Sequence, residues 1–211
     1  MSKFAVVVSS VFFLLLSLQS AADKKTVAKS EQDIRPLLIG QKIPDVKLRS
    51  ADKKTVELKA LVSESARLLI FYRGGWCPYC NAHLGKLAGI QSDLESMGIK
   101  TVGISPDKPK FLKETQDKGE LKYLLLSDAS ADAITGFGLA YAQDVKTRKK
   151  YKSYNIDIAE RSGNASYVLP VPAAYLVDKS GEVQFAFVAP DYTRRIDTAV
   201  LLAAAKAMTK K

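Results

Sequence analysis

The chain has 211 residues, of which 47% are hydrophobic and 26% are charged, a composition suited to one globular domain with a hydrophobic core. The formal net charge of +10 comes from scattered basic residues with one denser patch at residues 146–152, which we interpret as a solvated loop rather than a nucleic-acid-binding surface. Two cysteines and one histidine are too few for a four-ligand structural zinc site.

An apolar stretch near the start of the sequence predicts a signal peptide. Lys3 precedes the apolar residues 4–18, and the small residues Ser20 and Ala22 stand where a signal peptidase cuts. We therefore expect residues 1–22 to be removed on export to the periplasm of a bacterium, or on secretion. The alternative is an uncleaved N-terminal anchor, and only in that case do we expect contact with a membrane.

The rest of the chain divides into a leader and one domain. Residues 23–37 are polar and lysine-rich, which indicates a flexible leader, and residues 38–211 carry the pattern of a single domain. Residues 46–49 and 55–58 flank a polar turn and are predicted to form a β-hairpin at its start. No nucleic acid is expected as a partner, because an exported protein rarely meets one.

The next element is the most informative: a pair of cysteines three residues apart. An unbroken apolar run over residues 66–72 predicts a buried strand, and helical spacing starts at Cys77 after a turn with two glycines. A Cys-x-x-Cys pair between a strand and a helix is a thioredoxin-like redox signature, in which Cys77 and Cys80 lie close enough to form a disulfide. At the helix N-terminus the thiol of Cys77 ionises more easily, and the thiolate is the reactive form.

Two other roles for the cysteines were weighed. A structural disulfide across so short a loop would stabilise the fold by only about 2 kcal/mol on the chain-entropy model. A copper- or zinc-handling site would use Cys77, Cys80 and His83, but the sequence has no second histidine to complete it. His83 is interpreted instead as a surface helix residue. We therefore expect neither a metal nor another cofactor.

A βαβ unit follows from the pattern after the cysteines. Apolar residues recur every three or four positions from Leu84 to Met97, which predicts one helix that ends at Gly98. Residues 99–105 are the next predicted strand, so the cysteines lie at the C-terminal end of the first strand, where open α/β sheets place their chemistry. A shorter helix is predicted over residues 109–118.

An irregular segment separates the two halves of the predicted sheet. A strand over residues 122–126 leads to a helix that Ser127 or Asp128 can cap and that ends near residue 137. Residues 141–169 are polar and aperiodic, and they are predicted to be an insertion with some local helix.

The C-terminal part predicts a second hairpin and a closing helix. Residues 173–177 and 182–188 alternate as strands around a turn at residues 178–181. The closing helix is predicted to face the sheet with Ile196, Val200, Ala204 and Met208. The elements together predict an α/β fold with a central mixed β-sheet flanked by helices.

This order of elements resembles the thioredoxin superfamily. Within it, the sequence is similar to the peroxiredoxin-like branch of the alkyl hydroperoxide reductase/thiol-specific antioxidant (AhpC/TSA) family over residues 38–208. The similarity is carried by Phe-Tyr-Arg-Gly-Gly-Trp-Cys-Pro-Tyr-Cys at residues 71–80, with shorter matches at residues 127–128, 137–138 and 169–172.

The resemblance implies a thioredoxin-like fold in which the insertion precedes a strand that starts at a cis-proline. The proline that faces the active disulfide in this superfamily matches Pro172. Its cis peptide would leave the preceding backbone free to pair with a substrate strand beside Cys77. Trp76 and Tyr79 are implied to shape the rim of the disulfide.

The sequence departs from typical peroxiredoxins close to the reactive cysteine. Ile70 and Gly74 replace a proline and a threonine of that family, and Pro172 stands where an arginine is usual. The threonine hydroxyl and the arginine polarise the peroxide bond in those proteins. Arg73 could substitute for them by stabilising the Cys77 thiolate, or it could point into solvent.

These departures favour a thiol–disulfide oxidoreductase. Cys77 would attack a protein or small-molecule disulfide, and Cys80 would then release the product from the mixed disulfide. The alternative is a thiol peroxidase with an antioxidant role, in which a peroxide oxidises Cys77 to a sulfenic acid and Cys80 condenses with it. Either cycle needs a recycling partner, a thiol reductant or an oxidase.

Overall fold

The computed structural model describes residues 26–163 and 166–210. After a short 3₁₀ turn, the strands and helices are, in chain order, β1 (Lys47–Ser50), β2 (Thr55–Glu57), α1 (Leu58–Glu64), β3 (Ala66–Phe71), α2 (Pro78–Ala88), α3 (Gln91–Ser96), β4 (Ile99–Ser105), α4 (Pro109–Gly119), β5 (Leu124–Ser127), α5 (Asp132–Gly136), β6 (Ala140–Ala142), α6 (Val145–Ser153), α7 (Ile158–Ser162), β7 (Val168–Pro170), β8 (Ala173–Val177), β9 (Val183–Val188) and α8 (Thr198–Thr209). Within these residues no helix is long and apolar enough to cross a membrane. The predicted signal peptide lies outside them.

Seven strands form one mixed sheet in the order β2-β1-β5-β4-β3-β8-β9. β3, β4 and β5 are parallel at its centre, whereas β1 and β8 pair with them antiparallel. Along β3, Leu69 and Phe71 belong to one hydrophobic cluster and Leu68 and Ile70 to another, so both faces of the strand are buried. The predicted α/β fold with a central mixed sheet is therefore confirmed.

The N-terminal half follows the predicted order with two differences. The hairpin is confirmed as the antiparallel pair β1 and β2, but Leu58 begins α1, a helix too short for its spacing to be read from the sequence. The single helix predicted up to Met97 is wrong, because the chain leaves helical geometry at Ile90 (φ −111°, ψ 9°) and continues as α3. Gly98, with φ of 73°, follows the end of α3 at the predicted position.

The segment after α4 is also shifted relative to the prediction. β5 starts at Leu124, and α5 is shorter than expected. Asp128 caps the N-terminus of α5, as one of the two predicted candidates. Its carboxylate accepts hydrogen bonds from the backbone N–H groups of Ala133 and Ile134 at 3.0 and 2.8 Å.

The insertion at residues 141–169 contains the local helix that was expected, as α6 and α7, and its ends pair as the antiparallel strands β6 and β7. Part of the predicted leader, residues 23–37, pairs with β6 at the start of this region. The backbone N–H of Ala28 donates to the carbonyl of Ala140 at 2.9 Å, and its carbonyl accepts from Ala142 at 3.0 Å. The described part of the leader is thus attached to the insertion by backbone pairing.

The C-terminal hairpin is confirmed as β8 and β9, with Gly181 at φ of 78° in the turn. The face predicted for the closing helix is correct in part. Ile196 is buried, and Ala204 and Met208 are partly buried against the core, but Val200 is 51% exposed, and within the helix it is Leu201 and Ala205 that are fully buried. Alanine also occupies the exposed side of this helix, so apolar spacing did not single out the buried face.

Candidate active site

The turn after β3 and the start of α2 place the two cysteines at the C-terminal end of that strand. Gly74 has φ of 144°, a conformation that side-chain-bearing residues rarely adopt, and a β-carbon there would lie 2.3 Å from Nε1 of Trp76. The threonine that the resemblance implies for typical peroxiredoxins would therefore not fit this turn. Glycine at position 74 allows the indole of Trp76 to lie against it.

Cys77 is the N-cap residue of α2, followed by Pro78 at the first helical position. Its carbonyl accepts hydrogen bonds from the N–H groups of Cys80 and Asn81 at 3.0 and 3.1 Å. The Cys77 side chain makes no capping hydrogen bond to the helix backbone. Its sulfur is therefore available to Cys80, one turn further along.

Both cysteines are buried thiols, with Cys77 1% and Cys80 0% exposed. A side-chain hydrogen bond from Cys80 is the main reason why the pKa of Cys77 is lowered from 9.0 to about 6, and the charges of Arg73 and Arg195 act in the same direction. Burial raises the pKa of Cys80, and donating a hydrogen bond to Cys77 raises it further. At neutral pH the pair is therefore one thiolate stabilised by one thiol.

Arg73 is buried beside the dithiol and does not point into solvent, since it is 2% exposed. Its guanidinium lies over three aromatic rings, 5.0 Å from the centroid of Trp76, 5.3 Å from that of Tyr151 and 4.3 Å from that of Tyr192. It also donates a hydrogen bond to the hydroxyl of Tyr151. The prediction that Arg73 stabilises the thiolate is consistent with its effect on the pKa of Cys77.

A second guanidinium, that of Arg195, also contacts the dithiol, and the sequence did not reveal it. Nη2 of Arg195 lies 3.3 Å from Sγ of Cys80, and Nη1 donates to the carbonyls of Tyr192 and Arg194 at 2.5 and 2.6 Å. Arg195 comes from the loop between β9 and α8, far from the cysteines in sequence. No local pattern could have assigned it to the site.

A buried ion pair supports the turn before the cysteines. Asp107 is 2% exposed and accepts hydrogen bonds from the N–H of Gly75 at 2.8 Å and from Arg161 at 2.8 and 3.1 Å. Burial raises the pKa of Asp107, and the bonds from Arg161 and Gly75 oppose that rise. Arg161 comes from α7, so the insertion positions the active-site turn through Asp107.

Trp76 and Tyr79, predicted to shape the rim, pack against aromatic residues from other segments. Trp76 lies 5.3 Å from Tyr151 of α6 between ring centroids. Tyr79 is 49% exposed and meets Tyr192 edge-on at 5.8 Å. Sequence reasoning missed both Tyr151 and Tyr192, because each lies in a polar segment with no periodic pattern.

The prediction of a cis peptide at Pro172 is wrong. The described residues contain no cis peptide bond, and Pro172 is buried. The N–H of Val171 donates to the carbonyl of Leu139 at 3.0 Å, so this backbone is already paired within the protein. The predicted free edge for a substrate strand is absent from this part of the structure.

His83 is buried rather than on the surface, with 6% exposed, because it faces inward beside Leu84 and Leu87. Its Nε2 atom has no hydrogen-bond partner, and burial lowers its pKa from 6.5 to about 4, with further contributions from Arg195 and Lys86. The described residues include no cluster of three or more histidine, cysteine, aspartate or glutamate side chains that could hold a metal ion.

Comparison with known proteins places this site in a family. A family model described as the AhpC/TSA family matches residues 39–186. The chain is 32% identical over 106 residues to "Putative peroxiredoxin bcp" of Haemophilus influenzae, an alignment that covers 50% of this chain and 68% of that protein. It is 29% identical over 106 residues to "Peroxiredoxin Bcp" of Escherichia coli K12, covering 50% of this chain and 67% of that protein.

Solved structures support the same fold. "Peroxidoxin BcpB" of Mycobacterium tuberculosis superposes with a TM-score of 0.62 at 18% identity, covering 81% of this chain and 97% of that one. Reduced Prx3 of Vibrio vulnificus in complex with hydrogen peroxide superposes with a TM-score of 0.67 at 17% identity, covering 83% and 99%. At these identities the likeness concerns the fold, which is the thioredoxin-like fold of peroxiredoxins.

Proposed function

We propose that the chain, which belongs to the AhpC/TSA family, is a thiol-dependent peroxidase. One observation carries this proposal: the buried Cys77 has a pKa of about 6, lowered first by a hydrogen bond from Cys80 and further by the charges of Arg73 and Arg195. The two relatives named peroxiredoxin support a peroxide as the oxidant. This reverses the order of functions favoured by the sequence, in which disulfide exchange came first and peroxidase activity was the alternative.

In the first step, the Cys77 thiolate attacks one oxygen of a hydroperoxide. The oxygen–oxygen bond breaks, Cys77 becomes a sulfenic acid, and the other oxygen leaves with the electron pair and takes up a proton. Because Cys77 is only 1% exposed, the site favours a small oxidant such as hydrogen peroxide.

The two arginines supply the positive charge that this step needs. A preorganised donor near the departing oxygen typically contributes about 10²–10³ in rate. Arg73 is held in place by three aromatic rings and Arg195 by two backbone carbonyls, so neither has to reorganise during the reaction. They take over the role that the threonine and the arginine play in typical members of the family.

In the second step, Cys80 resolves the oxidised cysteine. Its sulfur attacks Sγ of Cys77, water leaves, and a Cys77–Cys80 disulfide forms. Cys77 and Cys80 are one helical turn apart, with the N–H of Cys80 donating to the carbonyl of Cys77 at 3.0 Å, so their side chains lie close together. Two equivalents of a thiol then reduce the disulfide and complete the cycle.

Thiol–disulfide exchange is the second candidate function, and the low pKa of the first cysteine in a Cys-x-x-Cys helix start favours it. Two observations weigh against a protein disulfide as the substrate. Cys77 is almost completely buried, and the Val171 N–H, which a docked strand would need, is bonded to Leu139. A hydroperoxide requires no such backbone pairing.

Trapping of the sulfenic acid tests the proposed function. In Cys80→Ala the oxidised Cys77 has no resolving thiol, so one equivalent of hydrogen peroxide in the presence of dimedone should give a single adduct on Cys77, located by mass spectrometry. The measurement is made in mildly alkaline buffer so that Cys77 stays ionised in the variant. Cys77→Ser is the control and should give no adduct. Absence of the adduct from Cys80→Ala would contradict the peroxidase proposal.

We further propose that the protein is exported and starts at Asp23 after cleavage. The support is the apolar stretch at residues 4–18 followed by Ser20 and Ala22. N-terminal sequencing of the protein from its native host should begin at Asp23. A start at Met1 in a membrane fraction would mean that the segment is an anchor.

A further inference from the structure

A cavity lies between α2 and the start of α8, and Arg195, which contacts Cys80, forms part of its lining. Its volume is about 690 Å³, within the range of cavities that hold small organic ligands, and its lining includes Tyr79, His83, Lys86, Arg195, Asp197 and Thr198. The proposed peroxidase step does not use it. Hydrogen peroxide is far smaller than this space.

The polar groups in this cavity suit an anion. Arg195 and Lys86 have no ion-pair partner within 4.0 Å among the described residues, and Nε2 of His83 is unpartnered although the residue is only 6% exposed. The one carboxylate in the lining, that of Asp197, is engaged as the N-cap of α8, where it accepts the N–H of Ala199 at 2.7 Å. A carboxylate ligand would therefore meet two cations that have no competing ion pair, with the buried imidazole of His83 beside them in the lining.

We propose that this cavity binds the carboxylate of a small thiol that reduces the Cys77–Cys80 disulfide and so recycles the enzyme. The inference deepens the proposed function and rests on it in one respect, namely that this disulfide forms. Arg195 connects the cavity to the reaction, because its Nη2 lies 3.3 Å from Sγ of Cys80. A carboxylate that draws this guanidinium into the cavity also uncovers the sulfur of Cys80.

The chemistry of exchange favours attack at Cys80. The thiolate of the ligand bonds to Sγ of Cys80, the bond between the two cysteines breaks, and Cys77 leaves with the electron pair. Cys77 is the better leaving group, because the charges of Arg73 and Arg195 stabilise its thiolate, whereas burial raises the pKa of Cys80. A second thiolate of the small thiol then attacks the ligand's sulfur in the mixed disulfide. The bond from that sulfur to Sγ of Cys80 breaks, a free small-molecule disulfide is released, and Cys80 leaves with the electron pair and takes up a proton.

The test measures reduction of the disulfide separately from peroxide cleavage. The full-length protein is oxidised with diamide, which makes the disulfide without a peroxide, and its reduction by 3-mercaptopropionate or 2-mercaptoethanol is followed by fluorescence of the single tryptophan. When the rate constants are expressed per thiolate, 3-mercaptopropionate should react on the order of tenfold faster than 2-mercaptoethanol, which is the effect of one charge-assisted contact. If hydrogen peroxide fails to oxidise the protein while this preference is present, the proposed function fails and the cavity's role stands.

A lysine pair provides the matched control. Lys86→Gln should lower the preference for 3-mercaptopropionate by about threefold, whereas Lys113→Gln, an exposed lysine on α4 outside the lining, should leave it unchanged. Propionate, which has no thiol, should shift the NMR signals of the single imidazole, that of His83. The proposal is overturned if the two thiols reduce the disulfide at equal rates. It is also overturned if the ratio of these two rates is the same in Lys86→Gln and Lys113→Gln, or if propionate does not shift the imidazole signals.

Discussion

Replacing Cys80 with alanine should raise the pKa of Cys77, and the size of the rise tests how the thiolate is stabilised. The hydrogen bond from Cys80 is the largest cause of the lowered pKa of Cys77, ahead of the charges of Arg73 and Arg195. Alanine removes the thiol donor and keeps the β-carbon, and it is a good residue for the interior of α2.

The expected magnitude follows from the strength of one hydrogen bond to a charged acceptor. Such a bond contributes about 1.5–3 kcal/mol, and about 1.4 kcal/mol corresponds to one pKa unit. The pKa of Cys77, about 6 in the parent protein, should therefore rise by about one to two units. Arg73→Met should produce a smaller rise, since Arg73 acts only through its charge.

The assay is a pH titration of the reduced proteins, with thiolate formation followed by ultraviolet absorbance and by alkylation with iodoacetamide. The midpoint is compared rather than the rate at one pH, because a thiolate of higher pKa is also intrinsically more nucleophilic. Cys77→Ser identifies the signal and should lose the low midpoint altogether. An unchanged midpoint in Cys80→Ala, or a larger shift in Arg73→Met, would refute this account of the site.

Two further predictions concern buried charges near the dithiol. Asp107→Asn should lower the free energy of unfolding by about 2–3 kcal/mol in urea titrations, because it leaves Arg161 without its buried partner. Asp45→Asn is the control, since it breaks only an exposed pair with Lys59. If Asp107→Asn lowers the free energy of unfolding no more than this control does, the prediction is contradicted. His83 should titrate by NMR with a pKa of about 4. Because the pKa is 6.5 in the unfolded chain, the free energy of unfolding should fall as the pH drops from 6.5 towards 4. A measured pKa near 6.5 would show that the imidazole is not buried.

The parts of the site that are local in sequence could be predicted. The strand, the two-glycine turn and the helix start around Cys77 are set by neighbouring residues, so apolar spacing and the cysteine pair identified them. His83 could have been found as well, since it lies on the same helical face as Cys80, Leu84 and Leu87, all of which are buried.

The rest of the site depends on contacts between distant segments. Arg195 meets Cys80 across 115 positions of sequence, and Arg73 meets Tyr151 across 78. Neither Tyr151 nor Arg195 lies in a pattern that distinguishes it from a solvated residue. Without Arg195, the sequence offers only Arg73 to stabilise a departing oxygen, and for this reason it favours disulfide exchange.

The most direct test of the central claim compares two oxidants of the reduced protein by stopped flow. Oxidation is followed by fluorescence of Trp76, the single tryptophan, with hydrogen peroxide in one experiment and a peptide disulfide in the other. We predict that hydrogen peroxide reacts faster, and that Arg73→Met reduces this advantage, since only Arg195 then remains, whereas Arg73→Lys, which keeps the charge, reduces it less. A faster reaction with the peptide disulfide would contradict the peroxidase account and restore thiol–disulfide exchange as the function.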